Sequence, residues 1–321
     1  MSAAEKIQQE IQPNMVADRL AEAEGMLKDE KVRLPDEVLE AVVKGIKNIS
    51  EKLEKRLPVY ESDFDFMEEL ERFVKLGSQY GEAMASLKEC GLYNPEDANP
   101  KDEKPPTREE VIQIMGSKLT KEQKEAIRRM KEPVLQIVPI KTMTNYLTVL
   151  DNNTPIFGKT GKRLANIWPS TEAMFERIDE ECKAKKRMVS GWKISIIEGS
   201  DLPNLLNGEN ERTTLRERME WFDENYVKKG IDGIGFKNWI LLQILKFSKK
   251  PPEPIDNGMA TIINGDVMNN GFVSTTLWNN PNRTIFMRDE NTDNILKSVG
   301  FRPTVNIKIS KPWYSKWIKK K

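Results

Sequence analysis

The chain has 321 residues, of which 38% are hydrophobic and 31% charged, and its formal net charge is +1. This composition is typical of a soluble globular protein and excludes a disordered one. The sequence has no histidine and only two cysteines, which excludes histidine-based catalysis, His-ligated metals and a four-cysteine zinc site within one chain. A biased genome could also explain the missing histidine, but these exclusions hold in either case.

The N-terminus, MSAAEKIQQEI, has neither the basic nor the apolar region of a signal peptide. No apolar run anywhere in the sequence approaches the roughly 20 residues that a membrane span needs. We therefore expect a cytoplasmic protein with no membrane span, although release by lysis or a non-classical route stays open.

Three stretches of the first hundred residues have the apolar spacing of amphipathic helices. They run from Met15 to Lys28, from Asp36 to Arg56, and onward from Ser62 or Asp63, either of which can cap the third helix. The spacing predicts an antiparallel bundle or, alternatively, an oligomerisation arm, with core packing the favoured role. The apolar seam residues are Leu39, Val42, Ile46, Ile49 and Leu53 in the second helix and Phe66, Leu70, Phe73, Tyr80, Met84 and Leu87 in the third.

A proline-rich stretch, NPEDANPKDEKPPT at 94–107, has no large apolar residue and predicts a linker. The charge also changes near this point. Residues 1–106 carry 15 basic and 24 acidic side chains, so the remainder carries a net charge of about +10. We therefore predict a helical segment over 1–93, a linker over 94–107 and a separate domain over 108–321.

Beyond the linker, helical and strand patterns are mixed. Thr107 is predicted to cap a short helix with Glu109 and Glu110 in its first turn, and Thr120 to cap another through Lys131. Helices followed by several short strands with irregular connections predict an α+β fold. The other predicted helices are 170–186, 213–228 and 236–247, and the predicted strands are 134–138, 192–197, 260–263, 272–277, 285–287 and 304–309.

Two short motifs resemble known ligand sites and are rejected. Gly158-Lys159-Thr160 lacks the earlier glycine of a phosphate-binding loop, because Asn153 stands in its place. Asp289, Asn291 and Asp293 alternate as in a calcium loop, but the glycine and glutamate that an EF-hand requires are absent. A looser calcium site of oxygen ligands stays open, and we otherwise predict no metal and no cofactor. Since no nucleophile, base and orienting group can be named together, we predict a protein that is not an enzyme.

The stretch from 264 to 294 is rich in asparagine. It holds eight of the 23 asparagines of the chain and lies within a lysine-free run from 251 to 296. Asparagine mixed with aromatic and arginine side chains is typical of an adaptable recognition surface. The alternative is that these asparagines merely form turns. The flanking pattern favours a binding site.

The C-terminal tail, 311–321, mixes Trp313, Tyr314 and Trp317 with five lysines. Such a mixture can bind nucleic acid or a membrane surface. We favour the interpretation that the tryptophans pack on the domain and the lysines are solvated, because no other basic cluster is contiguous with the tail. We therefore do not expect nucleic acid as a partner.

Trp278, Arg288 and the sequence Val299-Gly300-Phe301-Arg302-Pro303 carry a resemblance to a known family. A tryptophan, an asparagine-rich irregular segment and GFRP before a final strand resemble the end of C-type-lectin folds of the formylglycine-generating type. The variable proteins of diversity-generating retroelements use this fold, and the archaeal and uncultured-microbe members are the most similar. The resemblance covers roughly 130–310 and is strongest over 257–309. The chain departs from many members by continuing past GFRP into a strand and a basic tail.

The resemblance implies a fold and a function. The fold would be α+β, with a C-type-lectin-like C-terminal domain after an N-terminal helical segment, in which the first and last strands pair. We expect 134–138 to pair with 305–309, although 192–197 could instead be the first strand. In that family a reverse transcriptase rewrites adenines near the 3′ end of the gene, often in asparagine codons, and the fold displays the resulting positions as a ligand-binding surface. The variable region here would be about 264–302.

The resemblance also implies the site. The expected ligand is another protein, which would be bound without being transformed. Gly300 would allow an unusual backbone turn, Phe301 would lie in the core, and Phe286 could belong to the core or to the surface. Alternative functions are a structural oligomer formed through the N-terminal helices and nucleic-acid binding through the basic tail. The predicted ligand-binding residues, expected to be mostly exposed on one face, are Trp278, Asn279, Asn280, Asn282, Arg283, Arg288, Asp289, Asn291, Asp293 and Asn294.

Overall fold

The computed structural model describes residues 11–28, 34, 36–95, 104–139, 141–153, 165–167, 175–176, 179, 192–201, 213–247, 254–257, 259–263, 272–279, 284–296 and 298–308. Its α-helices are α1 (Pro13–Lys28), α2 (Asp36–Glu54), α3 (Asp65–Glu89), α4 (Arg108–Lys118), α5 (Lys121–Arg129), α6 (Met143–Asn153), α7 (Leu215–Asn225) and α8 (Phe236–Phe247). Its strands are β1 (Pro133–Pro139), β2 (Ala165–Ile167), β3 (Trp192–Glu198), β4 (Asp232–Gly233), β5 (Ala260–Ile262), β6 (Phe272–Asn279), β7 (Thr284–Asn291), β8 (Val299–Gly300) and β9 (Pro303–Lys308). No helix within these ranges is both long and apolar enough to cross a membrane.

The chain divides into two units, and the division differs from the predicted boundaries. One unit comprises Met1–Tyr80 with Pro106–Leu119, and the other comprises Gly81–Pro105 with Thr120–Lys321. Helix α4 therefore belongs with the N-terminal helices, whereas the sequence placed it in the second domain. Most of the predicted linker, 96–103, lies outside the described residues.

Apolar stripes on α2 and α3 form the core of the first unit. Val42 and Ile49 are buried in α2 as predicted, and so are Leu70 and Phe73 in α3. The predicted seam is wrong at two positions of α2, because Leu39 and Leu53 are exposed and Val38 is buried instead. Apolar residues occupy both 38–39 and 42–43, so spacing alone does not decide which side of the helix is buried.

Helix α4 is tied to the first unit by polar contacts. The Arg108 Nε donates to the carbonyl of Gly77 at 3.1 Å, and the Tyr80 hydroxyl donates to the carbonyl of Pro106 at 2.8 Å. The predicted Thr107 cap is confirmed: Thr107 Oγ1 accepts from Glu110 N, and the Glu110 carboxylate accepts from Thr107 N. This reciprocal pair of hydrogen bonds satisfies two backbone donors at the start of the helix.

The first sheet has four antiparallel strands in the order β1-β3-β9-β4. The expected pairing of 134–138 with 305–309 is wrong, because β1 and β9 each pair with β3. The last strand therefore pairs with 192–197, the alternative that the sequence left open. Ile194, Ile196 and Ile197 of β3 are all fully buried, as expected for a central strand covered on both faces.

The second sheet has five strands in the order β2-β7-β6-β5-β8. Pairs β2–β7 and β5–β8 are parallel, whereas β6 pairs antiparallel with both β5 and β7. Helix α7 packs on this sheet through Leu215 and Phe222. The other buried members of this cluster are Ala260, Ile262, Val273, Val299 and Phe301. The fold of the chain is thus α+β, with helices and two small sheets.

The GFRP segment joins the two sheets. Phe301 lies in the core, as predicted. Gly300 lies in β8, paired in parallel with Thr261, so the expected unusual turn is wrong and the backbone there is a strand. The Arg302 guanidinium is fully buried and donates at 2.6–3.2 Å to acceptors in both sheets and the loops between them. Its acceptors are the carbonyls of Glu198, Ser200 and Asp201, the Thr261 hydroxyl and the Asp256 carboxylate.

Asp256 is the counter-charge at this junction. It is fully buried, and its backbone has φ of 60°, a left-handed conformation that aspartate tolerates better than most residues. Its second carboxylate oxygen accepts from Trp239 Nε1 at 2.7 Å and from Thr261 Oγ1 at 2.6 Å. The junction is therefore a satisfied polar network in which a buried charge has a counter-charge and hydrogen bonds.

Candidate ligand-binding surface

The hairpin of β6 and β7 carries most of the predicted binding residues. The backbones of Trp278 and Asn279 pair with Ile285 and Thr284 across it. The side chains of Trp278 and Asn279 lie outside the described part of the structure. Asn280, Asn282 and Arg283, which connect the two strands, lie outside it entirely. The structure therefore informs on five of the ten predicted side chains.

Strand β7 separates Arg288 from Asp289, because successive side chains of a strand point to opposite faces. Arg288 is partly exposed, and its Nε lies 2.6 Å from Glu290 Oε1. Asp289 is only 7% exposed, and its Oδ1 accepts from Ser274 Oγ at 2.9 Å. The expectation that Asp289 lies on the surface is therefore wrong, since strand alternation turns it toward the buried side. Phe286 is half-buried.

The turn that follows β7 presents three predicted residues to solvent. Asn291, Asp293 and Asn294 are all exposed. Asn294 N donates to Asn291 O at 3.0 Å, and Asp293 N donates to the Asn291 side-chain oxygen at 2.9 Å. Asparagine often forms such local hydrogen bonds in turns. The next residue, Ile295, is 52% exposed, which is unusual for a large apolar side chain.

The first turn of α7 anchors this exposed turn. Leu215 N donates to Asn294 O at 2.9 Å, and Arg216 N donates to Thr292 O at 2.8 Å. The first N–H groups of a helix have no partner within the helix, so carbonyls of the turn satisfy them here. The Arg216 guanidinium reaches back to Asp293 Oδ1 through Nε at 3.1 Å and Nη2 at 2.9 Å.

The start of α7 also has its own cap. Thr214 Oγ1 accepts from Glu217 N, and the Glu217 carboxylate accepts from Thr214 N at 2.7 Å. The hydrogen bond from the Thr214 N–H lowers the pKa of the Glu217 carboxyl below its usual value. The capped helix end is a fixed support for the turn.

Arg218 fixes the segment that continues from the turn to β8. Its buried guanidinium donates to the carbonyls of Leu296 at 2.6 Å and Val299 at 3.2 Å. It also donates to Thr213 Oγ1 at 3.1 Å and Thr213 O at 3.0 Å. Burial lowers the pKa of the Arg218 guanidinium. One side chain thus links the helix start to both ends of the segment 296–299.

The structure adds residues that the sequence did not identify. Ile295 directly follows Asn294 inside the lysine-free run, a signal that could have included it. Arg216 and Arg218 carry no such signal, because their partners lie 77 to 81 residues away in the sequence. We define the candidate surface as Arg216, Asn291, Asp293, Asn294 and Ile295.

The candidate surface has the chemical groups of a surface that makes non-covalent contacts. It offers amide, carboxylate and guanidinium groups beside one aliphatic side chain. Within the described residues, no group of three or more acidic or cysteine side chains is arranged to hold a metal ion. Asp289 and Asp293, two of the residues considered for a calcium site, engage different partners, Ser274 and Arg216.

No family model, curated protein or solved structure matches the chain. The resemblance to variable proteins of diversity-generating retroelements therefore rests on the sequence motifs alone.

Proposed function

We propose that the protein binds another protein, without transforming it, through the candidate surface carried on a C-type-lectin-like scaffold. The resemblance to retroelement variable proteins implies that the part of this surface within about 264–302 is diversified. In that case the asparagines are positions that the gene varies, and the ligand differs from one variant of the gene to the next.

The observation that supports the proposal most strongly is how the turn is held. Hydrogen bonds from the start of α7 hold four backbone carbonyls, while the side chains of Asn294 and Ile295 are exposed to solvent. The four carbonyls are those of Thr292, Asn294, Leu296 and Val299. A fixed backbone lowers the entropic cost of binding, because only side chains need to be ordered. Side chains that the fold does not use can change without loss of the fold.

The composition of the surface supports a protein ligand. Arginine anchors contacts in many protein interfaces, and asparagine supplies adaptable hydrogen bonds. The exposed Ile295 adds apolar area beside these polar groups. Apolar and polar side chains occur together in protein interfaces.

Two libraries displayed on yeast would test the proposal. The first varies the five residues of the candidate surface, and the second varies five exposed positions of α2, namely Glu40, Val43, Lys44, Lys47 and Asn48. Both are sorted against the same panel of unrelated proteins. We expect binders mainly from the first library, with thermal midpoints close to that of the parent. Equal yields from both libraries would contradict the proposal.

The DNA next to the gene tests the diversification separately. A near-copy of the segment that encodes 264–302, differing only at adenines and lying beside a reverse-transcriptase gene, is the expected finding. Without such a copy, the proposal reduces to a fixed binding surface, which the library experiment still tests.

A further inference from the structure

A concave surface lies on the other side of α7 from the candidate surface. It is a groove between α5 and the C-terminal part of α7, with a volume of about 410 Å³. Trp221 lines it and lies five residues after Arg216, which places the two side chains about 140° apart around the helix. Its size falls within the range of ligand pockets, roughly 300–1,000 Å³.

The groove is held open by contacts between its walls. Gln123 of α5 donates through Nε2 to the carbonyl of Gly230 at 2.8 Å. Gly230 adopts a φ of 76°, a left-handed conformation that glycine accepts readily. The chain then returns so that Ile231 N donates to Tyr226 O at 3.1 Å. Buried Ala126 and Ile231 form the floor.

Four aromatic rings in successive contact connect the core with the groove. Phe301 stacks on Phe222 at 4.5 Å between ring centroids, and Phe222 stacks on Tyr226 at 4.8 Å. Trp221 lies 5.8 Å from Tyr226 at an angle of 54° and is 39% exposed. Tryptophan, tyrosine and arginine are the residue types most enriched at the energetic centres of protein interfaces. The groove also contains Arg129.

One of the two acidic groups of the groove is already in an ion pair. Glu125 pairs with Arg129 at 3.0 Å and lies 3.7 Å from Arg128. Backbone hydrogen bonding at the start of α5, followed by the Thr120 side chain, lowers the pKa of the Glu122 carboxyl. The exposed ammonium groups of Lys121 and Lys229, by contrast, form no ion pair within the described part of the chain. With Lys121, Arg129 and Lys229 against Glu122 and Glu125, the lining of the groove carries a net charge of +1.

We propose that this groove binds an acidic peptide segment of a partner protein, which inserts one apolar side chain against Trp221 and the floor. Carboxylates flanking that side chain would lie against Lys121 and Lys229. A nucleic acid fits less well, because a net charge of +1 neutralises little of a backbone that carries one charge per phosphate. The proposal does not depend on the candidate surface, since different faces of α7 form the two sites.

A random library of 12-residue peptides displayed on phage, selected on the full chain, tests the proposal. We expect enriched peptides with at least two acidic residues beside an apolar one. Synthetic copies of these peptides are then titrated by fluorescence anisotropy. Trp221→Ala should weaken them by about tenfold or more, as for the central residue of an interface. Lys229→Glu should weaken them by about tenfold at low salt and by less at high salt.

Matched controls separate the groove from other effects. Val43→Ala changes an exposed apolar residue of α2, outside both proposed sites, and Lys75→Glu makes the same charge change as Lys229→Glu on α3. Both should leave the peptide affinity within about twofold. Thermal melting checks that each variant is folded. If Trp221→Ala fails to fold, the exposed Lys121→Glu and Lys229→Glu variants decide the test.

Two results would overturn the proposal. One is a set of enriched peptides without acidic residues, or peptides that bind folded Trp221→Ala as tightly as the parent. The other is tighter binding of a labelled 20-residue oligothymidine than of any peptide, with loss in Lys229→Glu, which would make the groove a nucleic-acid site.

Discussion

Two arginine–aspartate pairs of this molecule have the same chemistry and opposite surroundings. Arg302 and Asp256 lie 2.6 Å apart with both side chains 0% exposed. Arg216 and Asp293 lie 2.9 Å apart with side chains 53% and 69% exposed. The first pair joins two sheets and the loops between them, whereas the second links one turn to one helix end.

The difference shows which part of the chain can vary. A buried charge that loses its partner is strongly destabilising, whereas an exposed ion pair contributes little to folding. The Arg302 junction therefore constrains the sequence around it. The Arg216 pair places little constraint on the residues of the candidate surface, which our proposal of a diversified surface would need.

The largest effect is expected from Asp256→Asn. Asparagine keeps the shape and tolerates the left-handed backbone of Asp256, but it leaves the Arg302 charge without its counter-charge. The free energy of unfolding should fall by about 3–5 kcal/mol, measured by urea denaturation. A loss below about 1 kcal/mol would break the comparison, because the buried pair would then behave like an exposed one.

A second contrast lies within α7. Arg218→Leu removes the donors to the carbonyls of Leu296 and Val299, and we expect a loss of about 2–3 kcal/mol in the free energy of unfolding. Arg216→Leu, two residues earlier and exposed, should cost less than about 1 kcal/mol. Hydrogen exchange of the amides of 292–299 should accelerate in the first variant only. Similar exchange in both would mean that Arg218 does not hold the turn.

Two helical glycines allow the same comparison of a packed site with an open site at positions that carry no charge. A Cβ at Gly45 would lie 2.2 Å from the ring of Phe66, whereas one at Gly81 would have no atom within 4 Å. Gly81→Ala should stabilise the protein by about 0.5–1 kcal/mol through helix propensity. At Gly45, overpacking of about 1–3 kcal/mol opposes the same gain and should win. Thermal melting measures both, and stabilisation by Gly45→Ala would show that Phe66 moves aside freely.

The smallest effect is expected from Asp293→Asn. The exposed pair should contribute less than about 0.5 kcal/mol to the free energy of unfolding, and this contribution should vanish at 1 M salt. Denaturation at low and high salt measures it. A loss above about 2 kcal/mol would mean that the turn depends on this pair, and the surface would then be less free to vary.

Local features of the fold could be predicted from the sequence, and long-range pairing could not. The caps at Thr107 and Thr120 are confirmed because a cap depends on residues three positions apart. The pairing of β1 with β9 was wrong because nothing local specifies which of several β-branched strands takes the centre of a sheet. Burial does not distinguish them either, since β1 and β3 each have six buried residues of seven.

The candidate site shows the same limit. Asn291, Asp293 and Asn294 could be found from composition, since asparagine-rich segments form exposed turns. Asp289 was wrongly predicted to be exposed, because the alternation of side chains between the two faces of β7 was not considered. Arg302 was quoted in the GFRP sequence without a role of its own, because its acceptors lie in two stretches far from it in the sequence, 198–201 and 256–261.

The central place of β3 has a consequence for how the chain assembles. Ser195 and Asn306, which are hydrogen-bonded across β3 and β9, are 111 residues apart in the sequence. During synthesis β3 can pair with β1 early, but its other edge stays open until residues 303–308 have left the ribosome. Pairing over such a distance is slow, and an open apolar edge invites association with other chains. The last strand therefore acts as the step that closes the sheet, and the cell must protect an incomplete sheet until it arrives.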